Sequence, residues 1–511
     1  MKYALISKYA TGQFNKKYRH MKKIIFVVSI IAVLFSSCKD NFDPQLYGSL
    51  SPSTFPSTES EYRLYMMELY KPFMSKWGYS ALSWENNFFS PEYGHLIEFD
   101  GASDLMPVYS NWGGFWEGFT TCNFAFLKTQ GRSSHFEKVR FVTRATKIID
   151  DLEKSTIGDA PKKQLIAEAR MARGWMMYYL MHMYGPVPVI LDPALIGTDA
   201  EANLTRPTRD VFVQSIEADL RYAADNLPAV GEDYGRFTKG AALTVLTRLY
   251  LNEKNFTKAE STAREILPLG YKLVNDYASL FREATEVNTE TIWAVSCING
   301  PTGNFNAWGY YTYPSDYPGN KITGGWGGST GVLSATWKFY DSFESVDVRR
   351  NLLIGEYTAK DGKTIKNRTN MNGAVIAKYA DEGGALNSLQ GNDIVVCRYA
   401  DVLLMLGEAI NENSGPTTEA VGFINQVRQR AGIGNLSSAS IASKDALRDA
   451  IFIERAHELY FEGLRKQDLI RMGKWQSALA AVGKTAGPEL FPVPEYAINN
   501  SNGQLTQTPG Y

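Results

Sequence analysis

Between Phe305 and Trp326 the sequence sets Trp308, Tyr310, Tyr311, Tyr313, Tyr317 and Trp326 among glycine, proline, asparagine and aspartate. That spacing does not form a helical stripe, so the rings do not read as the apolar face of one amphipathic element. An aromatic face held open in a loop suits a pyranose, whose axial C–H bonds are apolar, while neighbouring Asn and Asp side chains can bond its hydroxyl rim. Tyr and Trp add rigid contact area with little rotamer entropy to lose. Trp308, Tyr310, Tyr313 and Trp326 are therefore ligand-binding candidates. The competing reading is that these rings cover a small core of the loop's own, because large aromatics are usually mostly buried. Trp84, Asn86 and Tyr93 form a second candidate patch, in a segment rich in Asn, Pro and Gly. Trp112 and Trp116 fall on a helical pattern and read as core.

Catalytic chemistry has one candidate. Glu458 and Glu462 are one helical turn apart and could supply the paired carboxylates of a glycoside hydrolase. Two carboxylates on adjacent turns of one helix do not readily flank a sugar bond, however. Arg455, Arg465, Asp468 and Arg471 surround them, so ion pairing at i,i+3 and i,i+4 is the simpler account. The five histidines show no HExxH or other ligand spacing, and no Walker-type or GxGxxG loop is present. Gly324-Gly325-Trp326-Gly327-Gly328 lacks the lysine and helix start that phosphate binding needs and reads as a mobile loop. No catalytic residue, metal or cofactor is expected.

The elements that must position the rings are mostly helical. Leu165, Ala169, Ala172, Met176, Tyr179 and Met183 recur at three- and four-residue steps, and Gly185-Pro186 ends that helix. Ala242, Leu246 and Leu249, a turn at Asn252 to Asn255, then Ala259, Ala263 and Ile266 read as an antiparallel helical hairpin. A second hairpin runs through Tyr399, Leu403, Leu406 and Ile410, a break at Asn413-Ser414-Gly415-Pro416, and Ala420, Ile424, Val427 and Ala431. Small residues at the contacts resemble tetratricopeptide-like units, here degenerate and split by a long insertion. From about residue 300 to 390, Gly, Pro, Asn and aromatics replace the periodic pattern, which predicts loops with short strands.

The N-terminus carries a targeting signal. Lys22-Lys23 precede the apolar run Ile24 to Phe35 and then Ser36-Ser37-Cys38, too short a run for a permanent span but suited to a signal peptide over residues 1–37 that opens at Met21. The small pair before Cys38 resembles a lipobox, which makes Cys38 the lipidated first residue. The acidic stretch Lys39 to Asp43 resembles a tag for the outer face of an outer membrane. Ser49 to Ser60 are rich in Ser, Pro and Thr, and residues 38–58 read as a lipidated tether, with the folded body over 59–511. The remaining Cys122, Cys297 and Cys397 read as core thiols. A net charge of -1 and a pI near 6.6 give no field that would draw nucleic acid. Single-stranded nucleic acid also stacks on aromatics, but only Lys321 lies near these rings.

Several stretches line up in order with one family. They are Ala167-Glu168-Ala169-Arg170 through Tyr184-Gly185-Pro186-Val187-Pro188, then Arg206-Pro207-Thr208-Arg209-Asp210-Val211, and Gly235-Arg236-Phe237-Thr238-Lys239-Gly240. Downstream come Arg398-Tyr399-Ala400-Asp401, then Glu454-Arg455 through Phe461-Glu462-Gly463, then Leu490-Phe491-Pro492-Val493-Pro494 and the terminal Pro509-Gly510-Tyr511. In this order they resemble the SusD/RagB family of outer-membrane nutrient-binding lipoproteins. Trp116 stands where that family carries tyrosine, and Gly174 where it carries alanine.

The resemblance implies a mainly α SusD-like fold over 59–511, with tetratricopeptide-like helix pairs as scaffold and a loop-rich insertion with short strands that carries ligand. It permits ligand contacts at Trp84, Asn86 and Tyr93. It implies a lipid-anchored cell-surface protein of the outer membrane that captures an oligosaccharide or polysaccharide and passes it to a SusC-type TonB-dependent transporter. Peptide capture, as in RagB-like members, is the alternative within the family, and a glycoside hydrolase the alternative outside it. Stacked rings with a polar rim favour sugar; a deep groove with free backbone donors favours an extended peptide.

Overall fold

The computed structural model describes residues 55–76, 87–91, 94–109, 115–129, 134–300, 303–318, 333–380, 382 and 389–511. Helices α1 (Glu59–Met66), α2 (Phe115–Thr120), α3 (Lys138–Lys154), α4 (Asp159–Tyr184), α5 (Arg209–Asn226), α6 (Lys239–Asn252) and α7 (Phe256–Arg264) precede the insertion. Helices α10 (Tyr399–Ser414), α11 (Thr418–Arg430), α12 (Lys444–Leu459) and α13 (Arg465–Arg471) follow it. Each long helix packs on its neighbour in turn, α3 on α4, α4 on α5, α5 on α6 and α6 on α7. Helix α7 then packs on α10, and α10 on α11 and α12. The two hairpins, far apart in sequence, thus stack directly, and Pro56–Tyr511 form one compact unit.

Local chemistry sets the ends. Thr238, Asn255, Thr417 and Ser443 cap α6, α7, α11 and α12 by accepting backbone N–H groups of the first turn. Gly185 closes α4 at φ 73° and Gly415 closes α10 at φ 83°, a left-handed conformation that a side chain disfavours. The apolar stripe expected on α4 is buried, but so is nearly every residue from Leu165 onward, because α3 and α5 cover the rest of the helix. Gly174 marks the α4–α5 contact: a Cβ there would stand 2.9 Å from Asp219 Cβ. Beside it Arg173 holds Asp219 through Nε and Nη2, at 2.7 and 2.8 Å. Cys122, Cys297 and Cys397 are free and buried.

The insertion holds two one-turn helices, α8 (Trp308–Thr312) and α9 (Trp337–Asp341), and short strands β2 to β6. Strands β2 (Ser334–Ala335), β6 (Ala374–Ile376) and β3 (Leu353–Ile354) form an antiparallel sheet, and β4 (Tyr357–Thr358) pairs with β5 (Ile365–Lys366). Strands β1 (Thr291–Val295) and β7 (Ile394–Arg398) pair antiparallel, bringing the two ends of the insertion together before the helices resume.

Three imidazoles pack into this unit, His95 and His457 buried and His182 half-buried. Burial lowers His95, His182 and His457 to about 3, aided by Arg248, Arg209 and Arg349 respectively. A group whose folded-state value is depressed supports stability above its unfolded value, near 6.5, and withdraws that support as pH falls towards 3. His457→Gln should therefore flatten the acid limb of stability. Urea unfolding from pH 7 to 4 should show wild type losing ground to the variant by up to ~1.4 kcal/mol per pH unit. Parallel curves would mean that the imidazole charges freely in the native state.

Candidate functional site

Helix α8 divides the candidate rings by its own geometry. Trp308 and Tyr311, three residues apart, share its buried face at 2% and 1% exposure, while Tyr310 is half-buried on the other side. The expectation that these rings avoid a helical face fails for that pair. Trp308 packs into the main core, and Tyr313, 3% exposed, belongs to a satellite core with Tyr357, Met371 and Val375. Neither offers a sugar an open face here, which corrects their assignment as stacking platforms. Tyr310 keeps a partly exposed ring. Trp84, Asn86, Tyr93 and Trp326 lie outside the described residues, as do Cys38, Trp112 and the Gly324–Gly328 run.

The described residues flanking those candidates gather around α8. Asn304 Oδ1 accepts the backbone N–H groups of Ser75 and Lys76 at 2.8 and 3.0 Å, and Asn87 Nδ2 donates to Lys76 O at 2.7 Å. Both ends of the segment carrying Trp84 and Asn86 are thus tied to the start of the insertion. His95 N donates to Phe88 O at 2.8 Å. Leu333 N donates to Tyr311 O at 2.9 Å, and Thr336 N to Leu105 O at 2.7 Å, returning the segment that carries Trp326 onto α8 and the 94–109 chain. The described ends of chain stretches more than two hundred residues apart thus bond to one another or to the start of the insertion.

A ladder of rings crosses the corner around α8. Tyr109 meets Trp116 with centroids 5.8 Å apart, Trp116 meets Tyr311 edge-on at 5.2 Å, and Tyr311 meets Tyr310 at 5.4 Å. The middle rungs are buried and the end rungs, Tyr109 and Tyr310, half-buried, so each outer ring is held against a buried one, Tyr310 edge-on and Tyr109 tilted at 49°. A second run joins Tyr313, Tyr317 and Tyr357 at 5.2 and 5.0 Å. Asp316 accepts the Tyr357 hydroxyl at 2.7 Å and pairs with Lys366 at 3.2 Å. Burial, then the Asp316 carboxylate, pushes the Tyr357 hydroxyl above its ordinary range. Half-buried Tyr317 and Asp316 thus supply ring and hydrogen-bonding rim side by side. Sequence reasoning passed over Tyr109 and Asp316 as site residues. Tyr109 stands alone beside a helical pattern, and Asp316 carried no mark beyond its place between two tyrosines.

Glu458 and Glu462 do not face a cleft. The α12 helix ends at Leu459, Phe461 takes a φ of 56°, and both carboxylates turn into the core. Glu458 receives Arg349 Nη1 at 3.0 Å and also pairs with Arg398 and Arg430; Glu462 receives Arg398 Nε and Lys378 Nζ at 2.8 and 2.6 Å. Burial raises the Glu458 carboxyl, but the Arg430, Arg398 and Arg349 guanidiniums outweigh it and hold the group well below the carboxylate range. These partners come from distant elements, so the expected i,i+3 and i,i+4 pairing is corrected to a tertiary network; Arg471 with Asp468 alone among the named residues pairs locally. Among the described residues no group of His, Cys, Asp and Glu is arranged to hold a metal ion, and no helix is long and apolar enough to cross a membrane.

Comparison with known proteins agrees with this architecture. A family model described as "Starch-binding associating with outer membrane" matches residues 133–251, and one described as "SusD family" matches residues 353–488. The SusD-like protein P25 of Formosa agariphila is 24% identical over 500 residues, covering 88% of this chain and 90% of its own. The starch-binding protein SusD of Bacteroides thetaiotaomicron is 24% identical over 442 residues, covering 72% of this chain and 76% of its own. The surface glycan-binding protein A of Bacteroides thetaiotaomicron, solved in complex with laminarihexaose, superposes with a TM-score of 0.71 at 20% identity, covering 89% of this chain and 100% of that one. Stacked helix pairs, a ring-bearing insertion between them, and family matches that cover the helices before the insertion and run from its second half through the helices after it converge: the chain belongs to the SusD/RagB family.

Proposed function

We propose that this protein captures a glycan at the α8 corner and, held to the outer membrane by a lipid on Cys38, passes it to a SusC-type TonB-dependent transporter without chemical change. The observation that carries the reading is the ring ladder, whose buried rungs fix the half-buried Tyr310 and Tyr109 beside the start of the insertion. Pre-set rings cost a ligand little ordering entropy, and the Asp316 and Lys366 side chains offer bonds to hydroxyl groups. The inward turn of Glu458 and Glu462 speaks for binding over hydrolysis. The printed names of the relatives point to glucans, so starch and laminarin head the list of ligands to try.

Affinity electrophoresis against a polysaccharide panel tests this. Tyr310→Ala should weaken retardation about tenfold, the equivalent of ~1.4 kcal/mol, and Trp326→Ala should weaken it further. Retardation unchanged in both variants would remove the corner from the binding surface. A chain retarded by no polysaccharide but saturable by a peptide mixture would favour the peptide-binding branch of the family.

A further inference from the structure

A second cleft lies on the helical scaffold, built from none of the elements of the α8 corner. It encloses about 690 Å³ between the 271–275 segment, the first residue of α10 and the last turn of α11. That volume is within the range of ligand sites, about 300–1,000 Å³. Two half-buried tyrosines wall it, Tyr271 and Tyr399, each packed against the core and lining the cleft.

The walls are fixed in place. A Cβ on Gly240 would stand 2.4 Å from the Tyr271 hydroxyl, so the glycine of α6 leaves the seat for that ring. Lys272 N donates to Thr289 O at 2.9 Å and Val274 N to Glu290 Oε2 at 2.9 Å, while Tyr399 N donates to Glu290 O at 2.9 Å. Glu290, wholly buried, therefore pins both walls and also takes Arg430 Nη1 at 3.1 Å. Arg430 forms the floor with its side chain 4% exposed, yet its buried Nε–H has no acceptor. A buried charged donor left unmatched is costly and normally finds water or a ligand oxygen.

The polar groups at the rim are equally unspent. Gln429 uses its Nε2 on Asn435 Oδ1 at 2.9 Å, leaving its carbonyl oxygen open. Among the described residues the Tyr399 hydroxyl, the Asn275 amide and the Lys272 ammonium make no hydrogen bond, and no carboxylate lines the cleft. Paired rings with neutral amide, hydroxyl and ammonium groups between them match a ligand that is apolar on its faces and hydroxylated around its edge. We propose that this cleft is a second saccharide-binding site, which takes oligosaccharide between Tyr271 and Tyr399 with Gln429, Asn275 and Arg430 Nε on its hydroxyl groups. The assignment rests on the cleft's own chemistry and does not depend on Tyr310.

Native mass spectrometry with maltohexaose and laminarihexaose, alongside affinity gels of starch, laminarin, xylan and mannan, reads the two places separately. Wild type should take two oligosaccharides per chain. Gln429→Ala, an exposed change that leaves the fold alone, and Tyr399→Ala, checked by its unfolding midpoint, should each weaken one of the two by about tenfold, while Tyr310→Ala weakens the other. Wild-type stoichiometry and retardation in both Gln429→Ala and Tyr399→Ala would overturn the second site and leave the α8 corner standing. Loss in those variants with none in Tyr310→Ala would do the reverse, and a wild-type chain that binds no probe on any gel would overturn both.

Discussion

Glu458→Ala should lower the free energy of unfolding by about 3–5 kcal/mol, because it strips the common acceptor from a buried ionic cluster and leaves guanidinium charge uncompensated in the core. Its carboxylate takes hydrogen bonds from Arg349, Arg398 and Arg430, all but wholly withdrawn from solvent. Glu290 already shares Arg398 Nη1 and binds Arg430 Nη1, and Glu462 holds Arg398 Nε and Nη2, so neither can turn to replace the missing group. With unfolding entropies of about 2.1 cal/mol/K per residue, a unit of this length should lose about 3–5 °C in Tm. Glu419→Ala is the control. Its carboxylate pairs with Arg264 on the surface, 49% exposed, and its removal should change stability by under ~1 kcal/mol. Denaturant titration of the two variants side by side decides the point, since equal small losses would mean the interior charges are solvated. Glu458→Gln should fall between them, keeping the shape while surrendering the charge.

That cluster marks where sequence reading stops. The helices were legible because their apolar residues repeat at the helical period and breaks separate them, as at Gly185-Pro186, Asn252 to Asn255 and Asn413 to Pro416. Family order along the chain was legible for the same reason, being a property of neighbouring residues. The charged run from Arg455 to Arg471 looked self-sufficient, yet Glu458 finds Arg349 and Arg398 across 109 and 60 residues, and Arg455 finds Asp401 across 54. Nothing local distinguishes a side chain that pairs within its helix from one that pairs across the fold. The stacking of α7 on α10 is hidden in the same way, since it depends on β1 and β7 closing the insertion. The rings failed differently: their composition spoke of ligand, but composition does not say which side of a one-turn helix each occupies. Trp308 and Tyr311 went inward together at a spacing of three, and Tyr310 between them was left at the rim.

Trp308→Ala should therefore act as a stability mutation rather than a binding mutation, costing about 3–5 kcal/mol as expected when a large aromatic leaves a packed core. The indole is 2% exposed, its backbone N–H is held by Asn306 Oδ1 at 2.9 Å, and it borders a small void with Leu96, Thr312, Ile376 and Phe461. Truncation would enlarge that void under the very helix that presents Tyr310. The indole Nε1–H has no acceptor, so Trp308→Phe removes an unmatched donor while keeping most of the ring, and its cost should stay below ~1.5 kcal/mol. Denaturation midpoints should thus order as wild type, Trp308→Phe, then Trp308→Ala well below. Glycan retardation at a temperature where all three remain folded should order differently, with Tyr310→Ala the weakest binder and Trp308→Phe near wild type. If instead Trp308→Ala keeps its midpoint and loses retardation, the indole must reach the ligand. The inward packing would then belong to a ligand-free arrangement that α8 leaves on binding.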